Sequence, residues 1–197
     1  MHWGPLLTDQ LTFYWETSLW PRVQGLTDEE YLWEPVAGCW AVRPSDDGTW
    51  QADGLDRRPP EPPPVTTLAW RLAHIAVDVL GTRAAAFFGS PPEGADMFDP
   101  RLRPASLPAT ADEALALLER SYRAWHDGLA ACDDDALARP LGPRGADFAD
   151  QPLAALALHL HRETMHHGGE VGVLRDLYRA GLGGAGLGAP GLDGARP

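Results

Sequence analysis

The sequence predicts an all-α protein, a four-helix bundle joined by long connecting loops. Four stretches carry apolar residues at intervals of three and four positions, which is the spacing of an amphipathic helix. These stretches cover residues 6–23, 66–88, 110–131 and 152–180. A chain of 197 residues is long enough for one domain with its own core and too short to favour two. We therefore expect one helical domain over residues 1–180 and a Gly/Pro-rich, disordered tail over residues 181–197.

The first helix and the long connection that follows it have separate signals. The helix is predicted from apolar residues on one side, namely Leu7, Leu11, Tyr14, Trp15 and Leu19. A capping box, Thr27-Asp-Glu-Glu30, then opens a short helical turn. Residues 34–65 are not helical, and within them Asp47-Gly48 predicts the turn of a small hairpin. Three tryptophans favour a cover packed against the bundle: Trp33, Trp40 and Trp50.

The remaining elements are predicted from their ends. Gly89 ends the second helix, and the proline-rich chain after it is irregular. A second capping box, Thr110-Ala-Asp-Glu113, opens the third helix. We expect the acidic run 133–135 to be solvated and the fourth helix to begin near Pro152 with Asp150 as its cap.

A histidine cluster in the fourth helix is the strongest chemical signal in the chain. Four of the seven histidines lie between positions 159 and 167. His167 falls on the apolar face, and Glu163 projects to the same side one turn earlier. His159 and His166 lie at the flank, and His161 points to the other side. The apolar face itself comprises Leu156, Leu160, Thr164, His167, Val171, Leu174 and Tyr178.

A third ligand, from the second helix, completes a candidate metal site. His74 lies on an apolar line of the second helix formed by Trp70, His74, Val77, Gly81, Ala85 and Phe88. A buried carboxylate and imidazole are costly unless a cation meets them. Two imidazoles and a carboxylate suit zinc or nickel, so we predict His74, Glu163 and His167 as ligands. Three protein ligands with one open position are typical of a catalytic metal site.

Other interpretations of these residues stay open. His74 can be an ordinary core histidine, and Glu163 and His167 can be a buried hydrogen-bonded pair. The four-histidine cluster can also be a solvated helix end. A di-iron centre is rejected, because it needs two Glu-x-x-His motifs and only Glu163-Thr-Met-His166 is present.

The composition of the chain limits which binding partners and which cell compartment we expect for the protein. A net charge of −12 argues against nucleic acid and against anionic membrane surfaces. The sequence carries neither a leader pattern nor an apolar run that could span a membrane. The two cysteines, Cys39 and Cys132, are unpatterned, which favours a reducing, cytoplasmic setting.

Four segments together resemble a known family. They are Leu-Thr-Asp-Glu-Glu-Tyr-Leu-Trp-Glu-Pro (26–35), Cys-Trp-Ala-Val-Arg-Pro (39–44), Leu-Ala-Trp-Arg-Leu-Ala-His-Ile (68–75) and Glu-Thr-Met-His-His-Gly-Gly-Glu (163–170). The layout resembles the DinB-like superfamily, which includes mycothiol-dependent maleylpyruvate isomerases and bacillithiol transferases, over most of residues 5–180. The resemblance implies a metal held by a second-helix histidine and a residue-x-x-x-histidine pair, here His74, Glu163 and His167. It looks like the glutamate branch, but Gly168-Gly-Glu170 replaces the usual Arg-Gly-Gln.

The resemblance also implies a chemistry. A metal with an open position would activate a small thiol, as a thiolate, for attack on an electrophilic substrate in a transferase or isomerase reaction. All 16 basic residues are arginine, which suggests a high-GC genome and favours mycothiol as the co-substrate. His166 and Asp78 are candidates for proton transfer, and a homodimer is left open. A non-catalytic metal-binding or stress-associated protein and a metal-dependent hydrolase are the alternatives.

Overall fold

The computed structural model describes residues 2–54 and 60–182 of the 197. Residues 183–197, which make up most of the predicted tail, lie outside the described residues. Within the described ranges the fold is all-α apart from one two-stranded antiparallel hairpin. None of the helices in these ranges combines the length and apolar character that crossing a membrane requires.

Four long helices form the bundle and shorter elements connect them. In chain order the elements are α1 (Trp3–Tyr14, a π-helical turn Trp15–Leu19, and Trp20–Val23), α2 (Asp28–Tyr31), β1 (Val42–Pro44), β2 (Trp50–Ala52), α3 (Leu68–Ala73, a π-helical stretch His74–Gly81, and Thr82–Phe88), α4 (Ala111–Ala130), α5 (Asp134–Ala138) and α6 (Leu153–Leu177, ending in a π-helical turn Tyr178–Leu182). Two 3₁₀ segments, Pro100–Leu102 and Gly142–Phe148, lie in the loops. The four predicted helices are thus confirmed as α1, α3, α4 and α6.

The helix ends explain the local boundaries. Thr27 and Thr110 cap α2 and α4 by accepting from the backbone amides of Glu30 and Glu113, as the capping boxes predict. The predicted Asp150 cap is wrong, because Pro152 occupies the N-cap position of α6 and no side chain caps it. The acidic run is also more than a solvated loop, since Asp133 caps α5 through the amide of Ala136.

One apolar core holds the bundle together. Helix α3 packs against both α4 and α6, and α1 also contacts α4 and α6. The largest fully buried apolar side chains are Leu11, Leu19, Tyr31, Leu68, Leu72, Ile75, Leu80, Leu118, Trp125, Leu129 and Leu137. Because α3 is the central helix of this arrangement, both of its sides have neighbours and its residues can meet those of α6.

The tryptophan-rich cover lies on the start of α3. The hairpin pairs Val42 with Ala52 in antiparallel register, and its turn contains Gly48 at φ 82°, a left-handed conformation that glycine tolerates. Trp40 packs on Trp70, with ring centroids 5.8 Å apart, and the indole N–H of Trp70 donates to the Asp53 carbonyl at 2.8 Å. The predicted cover is confirmed, and it holds the helix turn that precedes His74.

A buried ion pair fixes the far end of α6. The Arg175 guanidinium contacts the Glu30 carboxylate twice, Nε to Oε1 at 2.7 Å and Nη2 to Oε2 at 2.8 Å. Nη1 donates to the carbonyls of Arg22 and Gln24 at the end of α1. Arg175 and Glu30 are 1% and 3% exposed, so all these contacts lie in the interior. Glu30 therefore ties α2 to α6 in addition to its position in the capping box.

Removal of Arg175 should be strongly destabilising. We expect Arg175→Met to lower the free energy of unfolding by about 3 kcal/mol, because Glu30 loses its buried partner and keeps only the half-exposed Arg179, whose Nε lies 3.5 Å from Oε1. The control is Arg123→Met, which breaks an exposed pair with Glu119 on α4 and should cost below about 1 kcal/mol. Urea unfolding monitored by circular dichroism measures both. Equal, small losses in the two variants would contradict a structural role for the buried pair.

Candidate metal centre

His74 is oriented by contacts on one face and one edge of its ring. Thr67 caps α3, and His74 stands at the point where the helix becomes π-helical. The imidazole stacks on Trp70 at 5.2 Å, and its Nδ1 lies 3.2 Å from Asp78 Oδ2. The other Asp78 oxygen lies 2.8 Å from Arg103 Nη2. With Nδ1 bonded to a carboxylate, Nε2 is the ring nitrogen left for a ligand.

The predicted apolar line of α3 is only partly correct. The side chain of His74 is 25% exposed and Trp70 is half-buried, so this line borders the core. The deepest face of α3 instead carries Leu72, Ile75, Ala76, Val79 and Leu80. The reason is that residues 68–80 are apolar on nearly every side of the helix, so spacing alone could not identify the deepest line.

In α6 the predicted face is confirmed. Its members from Leu156 to Leu174 are all buried, and His167 among them is 9% exposed. Glu163 is half-buried, and its Oε2 lies 3.4 Å from His167 Nε2. The two side chains therefore lie one turn apart on the same side of the helix, as their spacing requires.

The packing of α3 against α6 brings the three predicted ligands together. The rings of His74 and His167 meet edge to face, with centroids 4.7 Å apart and an interplanar angle of 82°. One ligand atom from each of His74, Glu163 and His167 lies within 4.8 Å of the others. The sequence spacing predicts on which side of its helix each side chain lies. The packing of α3 against α6 then brings the three side chains close together.

Glu170 and Arg71 surround the other nitrogen of His167. Glu170 Oε2 lies 2.7 Å from His167 Nδ1, and Arg71 lies 2.9 Å from the same oxygen through Nε. Arg71 Nη1 is also 3.1 Å from Nδ1, but a guanidinium can only donate. The shorter carboxylate contact decides the tautomer: Nδ1–H donates to Glu170, Arg71 pairs with Glu170, and Nε2 faces Glu163.

The electrostatics keep His167 neutral. Burial lowers the pKa of His167, and the nearby charges of His74 and Arg71 lower it further, while Glu170 opposes them. A neutral imidazole has a free lone pair at physiological pH, which is the form that binds metal ions.

The donor set fits a divalent cation. Donor atoms about 2.0–2.2 Å from a tetrahedral zinc ion lie roughly 3.3–3.5 Å from one another. The separation of 3.4 Å between His167 Nε2 and Glu163 Oε2 matches that edge. Both histidines also bond a carboxylate through Nδ1, which is the usual outer contact of a metal-binding imidazole. The three residues can therefore hold a metal if His74 moves slightly towards the other two.

A second group of donors shares His167. The ligand atoms of His166, His167 and Glu170 also lie within 4.8 Å of one another. The side chain of His166 is 63% exposed, with Nε2 at 3.6 Å from Glu170 Oε1. All three residues belong to α6, and Glu170 already accepts from His167 Nδ1. This group is therefore the weaker candidate, and variants of His74 and His166 distinguish the two.

A cavity opens beside His74. It has a volume of about 220 Å³ between α3, β2 and the segment 100–107. Its polar lining comes from His74, Asp78, Arg103 and Gln51. A small polar molecule can thus reach the candidate ligand His74 from the side of the hairpin.

The other residues singled out in the sequence lie around this centre. His159 is exposed at the flank, as predicted, and its Nδ1 lies 3.8 Å from Glu163 Oε1. His161 does point away from His167, but it enters the core and is 5% exposed. Sequence reasoning missed Arg71 and Arg103. The only signal for Arg71 is a charged residue inside the otherwise apolar run 68–77.

The fold and the centre together define a four-helix-bundle protein with a His/Glu/His cluster between its second and fourth long helices. The sequence model described as DinB superfamily matches residues 10–171, which is more than half of the chain. The chain therefore belongs to the DinB superfamily. Searches of curated proteins and of solved structures found no match.

His161 generates a prediction about acid stability. Burial lowers its pKa to about 4, with a smaller contribution from the charge of His126, and its Nε2 has no hydrogen-bond partner within the described part of the chain. Below pH ~6.5 the unfolded chain binds a proton that the folded chain excludes. The stability present above that pH is therefore lost as pH falls towards 4. The loss from this group alone should reach about 2 kcal/mol between pH 7 and 5.

The measurement compares His161→Leu with the natural protein. Urea unfolding at pH 7 and at pH 5, with chelator present throughout, should show a smaller acid-induced loss in the variant. His159→Leu, which removes an exposed histidine from the same helix, should lose as much as the natural protein. An unchanged pH dependence in His161→Leu would show that His161 is not the titrating group.

Proposed function

We propose that His74, Glu163 and His167 bind one divalent metal ion, zinc or nickel, and that the protein uses it in a thiol-dependent transferase or isomerase reaction. The observation that carries the proposal is the convergence of two imidazoles and one carboxylate from two helices. Each imidazole has Nδ1 committed to a carboxylate and Nε2 free. A metal-binding histidine needs one ring nitrogen fixed by a hydrogen bond and the other available to the metal. An ordinary core histidine or a buried hydrogen-bonded pair does not need this arrangement.

The proposed chemistry follows from an open coordination position. A divalent ion held by three protein ligands would lower the pKa of a bound thiol and raise the fraction of reactive thiolate at neutral pH. The cavity beside His74 supports the proposal, since it gives a small polar molecule access to that ligand. Mycothiol is the favoured thiol on composition, and an electrophilic carbon compound is the second substrate.

The two proton-transfer candidates differ in what supports them. Asp78 contacts both His74 and Arg103, so it is better suited to orient the His74 ring than to accept a proton from a substrate. His166 is solvent-exposed and its ring centroid is 4.8 Å from that of His167. We propose Asp78 as a positioning residue and His166 as the group able to exchange a proton with solvent.

A cytoplasmic setting belongs to the same proposal. Cys39 and Cys132 are both free thiols, as expected where low-molecular-weight thiols are kept reduced. Burial raises the pKa of each, so neither is an activated nucleophile. The reacting sulfur would therefore come from the co-substrate.

Metal content tests the ligand assignment. Untagged protein should contain about one divalent ion per chain, measured by inductively coupled plasma mass spectrometry. His74→Ala and His167→Ala should each remove it, because two ligands rarely retain a metal through dialysis. His166→Ala is the matched control on the same helix and should keep the natural content. Loss in His166→Ala with retention in His74→Ala would instead identify the exposed group on α6 as the site.

Thiol consumption tests the activity. With monochlorobimane as the electrophile, the protein should accelerate the loss of mycothiol, or of cysteine or glutathione as surrogates. The rate should vanish on chelation, return with added metal, and fall at least about a hundredfold in Glu163→Ala, because the metal would lose a direct ligand that orders the site. A cobalt-substituted protein whose spectrum does not change on thiol addition would favour non-catalytic metal binding. Metal-dependent ester hydrolysis without thiol consumption would favour the hydrolase.

A further inference from the structure

A second cavity lies on the other side of the candidate metal centre. Its volume is about 590 Å³, within the range of small-molecule sites. It lies between the second half of α3, the first half of α6 and the two loops that cross them. We call it the Arg83 cavity, and its principal lining residues are Arg83, Met97, Phe98, Leu156, His159 and Arg162.

The Arg83 cavity is basic in a strongly acidic chain. The ionisable residues that line it are two arginines and one histidine, and no carboxylate is among the lining residues in the described ranges. The chain as a whole has a net charge of −12. A concave surface with one sign of charge attracts ligands of the opposite sign, so this cavity is suited to an anion.

Arg83 is the most informative of these residues. Its guanidinium is half-buried, and no carboxylate of residues 2–54 or 60–182 forms an ion pair with it. Nη1 donates to Thr82 Oγ1 at 2.8 Å, whereas Nε is buried and has no partner in the same ranges. Burial lowers the pKa of Arg83, and Arg103 lowers it further, while the more distant carboxylates of Asp78 and Asp96 oppose the shift without reversing it. By contrast, the buried guanidinium of Arg175 is fully paired. A bound anion would offset the cost of burying the charge of Arg83.

The remaining walls are apolar and held in place. Met97 and Leu156 are buried, while Phe98 and Phe148 are about half exposed at the mouth with ring centroids 6.4 Å apart. The Met97 amide donates to the Arg144 carbonyl at 2.9 Å, which joins the two loops. The Arg83 guanidinium packs over the Phe98 ring at 4.7 Å. Such walls favour a flat apolar group beside the cationic end.

We propose that the Arg83 cavity binds an organic carboxylate with an aryl body, its carboxylate on Arg83 and its ring between Phe98, Phe148 and Leu156. The cavity adjoins the candidate metal centre, since His159 and Arg162 line it and lie 3.8 and 3.7 Å from Glu163 Oε1. A compound of this class that also carries an electrophilic carbon on its apolar body would be held next to Glu163 as the second substrate. That last assignment rests on the proposed thiol-dependent function, whereas the binding itself does not.

Calorimetric titration with a matched pair of probes tests the binding. Naphthylacetate should bind the chelator-treated protein at least about tenfold more tightly than naphthylacetamide, because only the carboxylate forms a charge-assisted contact with Arg83. Added salt should weaken the binding of naphthylacetate and leave the binding of naphthylacetamide unchanged. Equal affinities for the two probes, or binding of neither, would overturn the proposal without the need for any variant.

Variants locate the site. Arg83→Met keeps an apolar stem and should lower the affinity for naphthylacetate to that for naphthylacetamide. Arg162→Met should lower the affinity for naphthylacetate to a smaller extent. Arg123→Met removes an arginine from the exposed side of α4 and should leave binding unchanged. Natural affinity in a folded Arg83→Met would refute the assignment. The exposed Arg162 provides the same test if Arg83→Met does not fold.

Inhibition kinetics separate this inference from the proposed function. If both are correct, naphthylacetate should inhibit thiol conjugation competitively with monochlorobimane. If the protein binds the carboxylate but has no thiol activity, the assignment of the Arg83 cavity is supported and the proposed thiol-dependent function is refuted. Thiol activity with inhibition that is not competitive would show that the cavity is not the electrophile site.

Discussion

The rotational setting of α6 is the constraint on which the candidate centre depends. His167 and Glu163 face α3 only while α6 keeps its orientation, and a rotation of one residue, about 100°, would turn them away. The buried Glu30–Arg175 pair opposes such a rotation, because it would expose or unpair two charges in the interior. Arg175 lies eight residues after His167, roughly two turns along the same helix. An interaction between α2 and the end of α6 therefore stabilises the geometry of the centre from a distance.

Charge balance is the second principle that organises the molecule. Each candidate ligand histidine has a carboxylate on one nitrogen, and each of those carboxylates has an arginine: Arg103 for Asp78 and Arg71 for Glu170. These two arrangements place positive charge behind the carboxylates and leave the Nε2 atom of each histidine as the nitrogen available to a metal. Arg83 differs, since its guanidinium is half-buried and no carboxylate of residues 2–54 or 60–182 forms an ion pair with it. The arginine charge without a paired carboxylate thus lies at the cavity that we assign to an anionic ligand.

Local sequence patterns could predict the helices and the three candidate ligands, and could not predict how those ligands are supported. Periodicity identified the face of α6 from Leu156 to Leu174, and capping signals identified the starts of α2 and α4. The contacts of Arg71 and Arg103 depend on how α3 meets α6 and the loop after it, and no spacing encodes that. The cap at Asp150 failed for a related reason, since the backbone pairing that joins Pro140 to Pro152 sets the start of α6.

The π-helical stretch His74–Gly81 has a consequence for how related chains align with this one. A π-helical turn is equivalent to one extra residue accommodated within a helix, and such turns occur frequently at functional sites. A relative with an unbroken α-helix here would be one residue shorter between the residues corresponding to His74 and Gly81. A gap of one residue at that point in a sequence alignment would then indicate a difference in helix winding between the two chains. It would also separate two lineages by the direction in which the second half of α3 presents its side chains, including Arg83.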